Sequence, residues 1–320
     1  MKVYIIHEND EWTLPLKSEL QKLSVNFEDW HVEKANIDLG KIPPKGIFYN
    51  RMSASSHSRG HRFAPEFTAT ILNWLKNYNR RVINNGNALA LEISKSLQYL
   101  KLSQSEIKTP RSIYCSGKEQ IIKATEHFSK PFVTKHNRAG RGLGVKLFQN
   151  KSELTSYVNG TDFEESIDGI TILQDYIEAE PKVIHRMEFI NSKFFYTVQV
   201  DASESFELCP ADACNTDGQF CPTNPDGNKF MIIKDYINAE IPKYEKFLKE
   251  TNIEIAGIEY ITSTNGVHFT YDVNTNTNYN FVAENKTFGS QLLIWIFKIL
   301  KVSALLKVLL LVRIKHWNQN

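Results

Sequence analysis

Residues 271–280, YDVNTNTNYN, place one acid and four asparagines in ten residues directly behind an apolar run that reads as a strand. Asn and Asp are poor strand formers, so this much side-chain oxygen at a strand end asks for a partner opposite it. The preceding segments are IEIAGIEYIT (253–262) and VHFTYDVN (267–274), separated by a connection containing Asn265-Gly266. Asn-Gly is the strongest short hairpin signal and predicts a two-residue type I′ turn. With Thr264 facing Val267, that turn sets Glu259 directly opposite Asp272. Alternation along the strand puts Asn274 on the same face as Asp272.

Two carboxylates facing each other across an antiparallel pair repel. Glu259, Asp272 and Asn274 form an all-oxygen constellation at a sheet end, a ligand set suited to Mg²⁺. Spacing alone fits equally a solvated sheet face or a shared proton. Magnesium held by few protein carboxylates usually shares its shell with phosphates, and KHNRAGRGLGVKLF (135–148) offers a matching cradle. There Lys135 ends a strand, Val145 begins the next, and Gly140, Gly142 and Gly144 lie in the segment together with His136, Arg138 and Arg141. Glycines let backbone amides approach an anion, and the basic side chains neutralise it. The loop is neither a Walker loop nor a dinucleotide fingerprint, and alone it also fits a flexible hairpin with solvated arginines.

The chain has 320 residues, 42% hydrophobic, with 38 basic against 36 acidic side chains. It can bury a large core in two or three domains, and its balanced charge with no basic stripe disfavours nucleic acid. The opening run is too short for a signal peptide, and Cys115, Cys209, Cys214 and Cys221 lack the paired spacing of a zinc site. A cytoplasmic location is expected. KVYIIH (2–7), a helix near 16–23, GIFYN (46–50), a helix over 64–78 and RRVINN (80–85) have the rhythm of a small α/β domain. One further helix is expected over 88–102. From residue 131 onward the pattern changes to hairpin-like pairs, PFVTKH with GVKLFQ and KVIHRMEFI with KFFYTVQVD.

In order, these pieces resemble the ATP-grasp superfamily, within it the RimK-type glutamate ligases and glutathione synthetases, from about residue 92 to 280. The resemblance rests on EISKSLQYL and KTPRS, on PFVTKHNRAGRGLGV, on ILQDYIEA, on HRMEFINSKFF, and on AGIEYI with YDVNTN. It implies an α/β (α+β) ATP-grasp fold: an N-terminal α/β domain (1–88), two α+β subdomains gripping ATP (89–170 and 171–290) and a C-terminal tail (291–320). It further implies that Lys95, Lys135, Arg141, Gly142 and Gly144 hold the triphosphate and that Gln174, Asp175, Tyr176 and Ile177 lie along adenine. Arg186 would be the catalytic arginine, and Glu259, Asp272 and Asn274 the ligands of Mg²⁺, with Mn²⁺ as an alternative ion. The family places Asp in the first metal strand and Glu-x-Asn in the second, so the acids are exchanged here. Lys95 and Lys135, taken singly, fit surface residues.

The activity so implied is an ATP-dependent carboxylate–amine ligase working through an acyl phosphate, on an amino acid, peptide or protein carboxylate. The alternative is a non-catalytic ATP-binding module that closes on a protein partner. YNRMSASSHSRGHRF (49–63) follows a strand, and Arg pairs bidentately with carboxylate, so Arg51 and Arg59 are candidate substrate contacts, against a mobile surface loop. A homo-oligomer is expected. In the tail, apolar residues 292–312 supply about −6 kcal/mol toward insertion, which Lys298, Lys301 and Lys307 offset. A packed terminal helix and membrane contact both remain open.

Overall fold

The computed structural model describes residues 2–129, 131–140, 142–201, 230–233 and 236–277. Arg141, Asn278, Asn280, Cys209, Cys214, Cys221 and the 291–320 tail lie outside the described residues. Among the described residues, no helix is long and apolar enough to cross a membrane.

The chain opens with β1 (Val3–His7), α1 (Asp10–Lys22), β2 (Phe27–His31), β3 (Ile47–Asn50), α2 (Ala64–Asn77) and β4 (Arg81–Ile83). The strands form a parallel sheet in the order β2-β1-β3-β4. A parallel sheet is covered on both faces, and β1 is buried throughout. Its alternate residues divide between two cores: Val3 and Ile5 pack with Leu16 and Leu20 of α1, whereas Tyr4 and Ile6 pack with Ile71, Leu72 and Leu75 of α2. Asn9 caps α1 by accepting from the Trp12 amide at 3.1 Å, and Asp10 and Glu11 occupy the first turn, where acids suit the helix dipole.

The single helix expected over 88–102 is instead two, α3 (Gly86–Glu92) and α4 (Lys95–Gln104). Ser94 causes the break: its backbone is extended and its Oγ accepts from the Leu97 amide at 3.3 Å, the N-cap geometry that Ser favours. The amides of Lys95 and Ser96 are taken by the carbonyl and Oδ1 of Asn137, at 3.1 and 2.8 Å. The break thereby makes Lys95 the first residue of a helix docked onto the glycine-rich segment.

Next come β5 (Ser112–Ser116), α5 (Lys118–Ala124), β6 (Phe132–His136), β7 (Lys146–Phe148), α6 (Lys151–Asn159) and β8 (Ile170–Asp175). They build an antiparallel sheet, β5-β8-β6-β7, covered by α5 and α6 over Phe132, Phe148, Leu154 and Leu173. The last sheet has the order β11-β10-β9-β12-β13. It comprises β9 (Val183–Ile190), β10 (Lys193–Asp201), β11 (Phe230–Ile233), β12 (Ile255–Thr262) and β13 (His268–Asn274), with α7 (Ile241–Glu250) preceding β12. Tyr244, Phe247 and Leu248 of α7 pack with Tyr99 and Leu102 of α4 against Met187, Phe189 and Ile258 of this sheet. Its other face supplies Ile184, Tyr196, Val198 and Ile255 to the core that holds Val3 and Ile5, so the first and last sheets share one interior.

The β12–β13 hairpin departs from the expected turn yet delivers the expected pair. The connection has three residues, Thr264 to Gly266, because Ser263 pairs with Val267 and the Gly266 amide bonds the Ser263 carbonyl at 2.8 Å. Gly266 has φ +78°, the left-handed position of a three-residue hairpin loop. This shifts Tyr260 opposite Thr270. A bulge that leaves Tyr271 without a cross-strand partner then shifts the register back, so Glu259 faces Asp272 and Gly257 faces Asn274. The extra residue also explains why Thr270 and Val273, of opposite parity, are both buried.

Candidate active site

The central side chains come from three adjacent strands. Glu259 lies between Asp272 of β13 and Arg186 of β9 in the ladder. Arg186 is buried, with Nε donating to Glu188 Oε1 at 2.6 Å, a second nitrogen donating to Thr277 Oγ1, and Nη1 3.5 Å from Glu259 Oε1. The guanidinium can lie flat on the sheet because Gly257 has no Cβ; one built there would stand 2.6 Å from Arg186 Nε. Thr277 Oγ1 in turn donates to both Glu188 oxygens, at 3.1 and 3.0 Å. Arg51 reaches the same spot, its Nη1 donating to the Thr277 carbonyl at 3.3 Å.

Glu259, Asp272 and Asn274 meet as expected, with Asn274 Nδ2 donating to Glu259 Oε1 at 3.1 Å. Burial, aided by the Asp272 charge and opposed by Arg186 and Lys95, pushes the Glu259 carboxyl up to about 7. Lys95 extends from α4 and donates to Asp272 Oδ1 at 2.5 Å. Burial disfavours its ammonium, but Asp272 and Glu259 outweigh this and hold its pKa above the ordinary value. Lys135, buried on β6, donates to Tyr99 Oη at 3.2 Å and lies 5.0 Å from the centre of the Tyr271 ring. The bulge that restores the register therefore also presents the ring beneath this lysine.

The glycine-rich segment makes two consecutive tight turns, with Leu143 N bonding Gly140 O and Val145 N bonding Gly142 O. Gly142 and Gly144 have φ of +76° and +74°. A Cβ at Gly144 would meet the His136 ring at 2.2 Å, and His136 Nε2 is 3.0 Å from the Glu164 carbonyl. Arg138 corrects the expectation that its charge faces an anion. It donates to Glu66 Oε1 at 2.6 Å and to the Arg62 carbonyl at 3.2 Å, tying the segment to α2. Arg59 is likewise engaged: it donates to both Glu8 oxygens, at 3.2 and 2.5 Å, and stacks on Trp12. Gln174 and Asp175 end β8, where Gln174 Nε2 donates to Ser112 Oγ at 2.9 Å; Tyr176 and Ile177 follow, and the Tyr176 amide bonds the Pro131 carbonyl.

Several site-lining groups escape a reading of the sequence. Glu92 is one: its carboxylate accepts from the Ala54 amide at 3.3 Å and from the amide and hydroxyl of Thr275 at 2.7 and 3.0 Å. Burial raises its pKa. No local pattern marks it, because its partners are remote in sequence. Glu188 is different. It lies two residues beyond Arg186, so strand alternation alone places both on one face; burial raises its pKa against the pull of Arg186.

Residues 91–206 match the family model of the RimK-like ATP-grasp domain. A search of curated proteins finds no match. Among solved structures, a RimK domain ATP-grasp protein from Sphaerobacter thermophilus superposes with TM-score 0.60 at 12% identity, covering 89% of this chain and 95% of that one. The ATP-grasp ligase PsnB, complexed with minimal precursor, Mg and ADP, gives TM-score 0.61 at 11% identity, covering 93% and 96%. The D-alanine–D-alanine ligase of Bacillus anthracis gives 0.62 at 15% identity, covering 94% and 98%. At these identities the likeness is one of fold.

Proposed function

Taking the chain as an ATP-grasp protein with a RimK-like domain over residues 91–206, we propose that it is an ATP-dependent carboxylate–amine ligase. The observation that carries this is the convergence of two lysines from separate elements, Lys95 and Lys135, on a face that also bears Glu259, Asp272 and Arg186. Such a set suits phosphoryl transfer, which needs positioning and charge stabilisation more than a protein nucleophile.

The donor set fits a hard divalent cation. Glu259 and Asp272 are opposed carboxylates, and burial together with the Asp272 charge raises the Glu259 carboxyl despite Arg186 and Lys95. In the present arrangement Asn274 offers its amide nitrogen to Glu259, so the two carboxylates are the principal ligands available. When bound there, Mg²⁺ supplies charge neutralisation for the phosphate oxygens.

In the reaction we propose, a substrate carboxylate oxygen attacks the γ-phosphorus of ATP and ADP leaves. An amine nitrogen then attacks the acyl carbon, the C–N bond forms, inorganic phosphate departs, and the amine proton passes to phosphate or water. Lys95 and Lys135 hold phosphate oxygens, and reaching them requires Lys95 to exchange its bond to Asp272. Arg186, fixed by Glu188 and Thr277, stabilises oxyanion charge at the acyl centre. Gln174 to Ile177 line the adenine side. The fold neighbours include a ligase complexed with a precursor peptide and a D-alanine–D-alanine ligase, and we propose an amino acid or peptide carboxylate as the substrate class here. The test is calorimetric titration with Mg·ATP, beside Asp272→Asn. Saturable, Mg²⁺-dependent binding weakened at least about tenfold in the variant supports the site; binding indifferent to both Mg²⁺ and the substitution counts against it.

A further inference from the structure

A second cluster of ligand-type side chains lies at the carboxyl ends of the first parallel sheet and shares no residue with the proposed ATP site. His7 ends β1, His31 ends β2 as its ladder neighbour, and Asp10 opens α1. One potential ligand atom from each lies within 4.8 Å of the other two. The two imidazole rings are 5.1 Å apart and nearly perpendicular, and His31 Nε2 is 4.0 Å from Asp10 Oδ2.

The hydrogen-bond pattern is what lifts this above a chance grouping. His7 is 1% exposed, and its Nε2 engages the Asp29 carboxylate. A carboxylate only accepts, so Nε2 carries a proton, and in the neutral ring Nδ1 is left with its lone pair. That Nδ1 is buried with no partner, and so is Nδ1 of His31. A buried polar atom without a partner is uncommon and calls for an explanation. A carboxylate that holds one imidazole nitrogen and leaves the other for a metal is the usual outer-sphere support of a metal-bound histidine. Asp29 is itself fixed by Lys17 at 2.5 Å.

We propose that His7, Asp10 and His31 bind a divalent first-row transition ion, Zn²⁺ foremost, at a site separate from Glu259 and Asp272. Two imidazoles and one carboxylate select a softer ion than the all-oxygen pair does, and three protein ligands leave a coordination position for water or a ligand. The cations already at Asp10 are Lys34 at 2.8 Å and Lys17 at 3.4 Å. Asp10 is half exposed, so its carboxylate can turn from these ammonium groups toward the ion. The site borders the network around Glu8, which receives Arg59 and lies 2.8 Å from Nδ1 of His61; the His61 ring stands 5.7 Å from that of His31.

The test is equilibrium dialysis of the full-length protein against Zn²⁺ in excess Mg²⁺, with Co²⁺ as the absorbing probe. One ion per chain is expected to depend on His31 and Asp10: His31→Gln and Asp10→Asn should each weaken it at least about 100-fold. Asp29→Asn, acting through His7, should weaken it about 10- to 100-fold, and Asp272→Asn should leave it unchanged. Thermal unfolding without metal shows that each variant is folded, which is why exposed Asp10 and partly exposed His31 are preferred to buried His7. Equal Zn²⁺ binding by wild type, His31→Gln and Asp10→Asn would overturn the proposal, as would a loss confined to Asp272→Asn or the absence of saturable binding.

Discussion

Gly257 shows how one missing methyl shapes the site. The Arg186 side chain, whose own ladder partner is Glu259 two residues along β12, needs the space above the Gly257 backbone, and an added Cβ would stand 2.6 Å from Nε and 2.9 Å from a terminal nitrogen. Arg186 cannot yield freely, because Glu188 and Thr277 hold it. Gly257→Ala is therefore expected to cost about 1–3 kcal/mol through overpacking, read as a lower urea midpoint. Gly266→Ala is the control: nothing lies within 4 Å of its Cβ, but φ is +78°, so only the left-handed cost of about 1 kcal/mol applies. Which side chains stand together was partly legible in the sequence. Glu259 and Asp272 could be paired from the hairpin, and Arg186 with Glu188 from alternation. The contacts of Thr277 and Glu92 were not, since they join residues 89 and 183 positions apart.

Elements carry the site through their ends. Ser94 caps α4 and sets Lys95 at its first position; Ser94→Ala should destabilise by about 1 kcal/mol, measured as a shift in the thermal midpoint. The tie between α2 and the glycine-rich segment gives a pH prediction. Burial by itself would raise the Glu66 carboxyl, but the hydrogen bond and charge of Arg138, together with a backbone hydrogen bond and the Arg62 charge, outweigh that and hold it below its ordinary value of 4.5. As pH falls, the unfolded chain takes up this proton before the folded one does. The stabilisation is thus complete above about 4.5 and lost as pH drops through the folded value. Glu66→Gln should flatten that part of the acid limb of a midpoint-against-pH curve; an unchanged limb would show that the pair carries no such linkage. The hairpin register was legible by a different route from the one the chain takes. A three-residue loop and a bulge at Tyr271 shift the pairing in opposite directions, and local turn signals do not report a bulge. The divided helix at Ser94 escaped for a related reason: apolar spacing continues across the cap.

Over the whole molecule, the first and last sheets are joined by a shared core and by Asn84. This residue is fully buried with φ +52°, a conformation that Asn tolerates. Its side chain donates to the carbonyls of Ile255 and Thr275, at 2.8 and 2.7 Å, and accepts from the amides of Glu254 and Ile255. Asn84→Ala leaves these backbone groups without partners and should cost about 3–5 kcal/mol. Because β12 and β13 are held through it, the loss should appear in one cooperative unfolding transition; two separated transitions would contradict the shared interior. Sheet order and these long-range ties had no local signal, whereas the alternation of α/β rhythm and hairpins did. Hydroxylamine intercepts an acyl phosphate as a hydroxamate, so trapping with it reports carboxylate activation itself. The full-length protein, Mg·ATP, hydroxylamine and pools of amino acids or peptides should yield a hydroxamate together with ADP, dependent on one pool and lost in Asp272→Asn. ATP bound with neither ADP nor hydroxamate formed from any pool would contradict ligase activity and favour a module that closes on a protein partner.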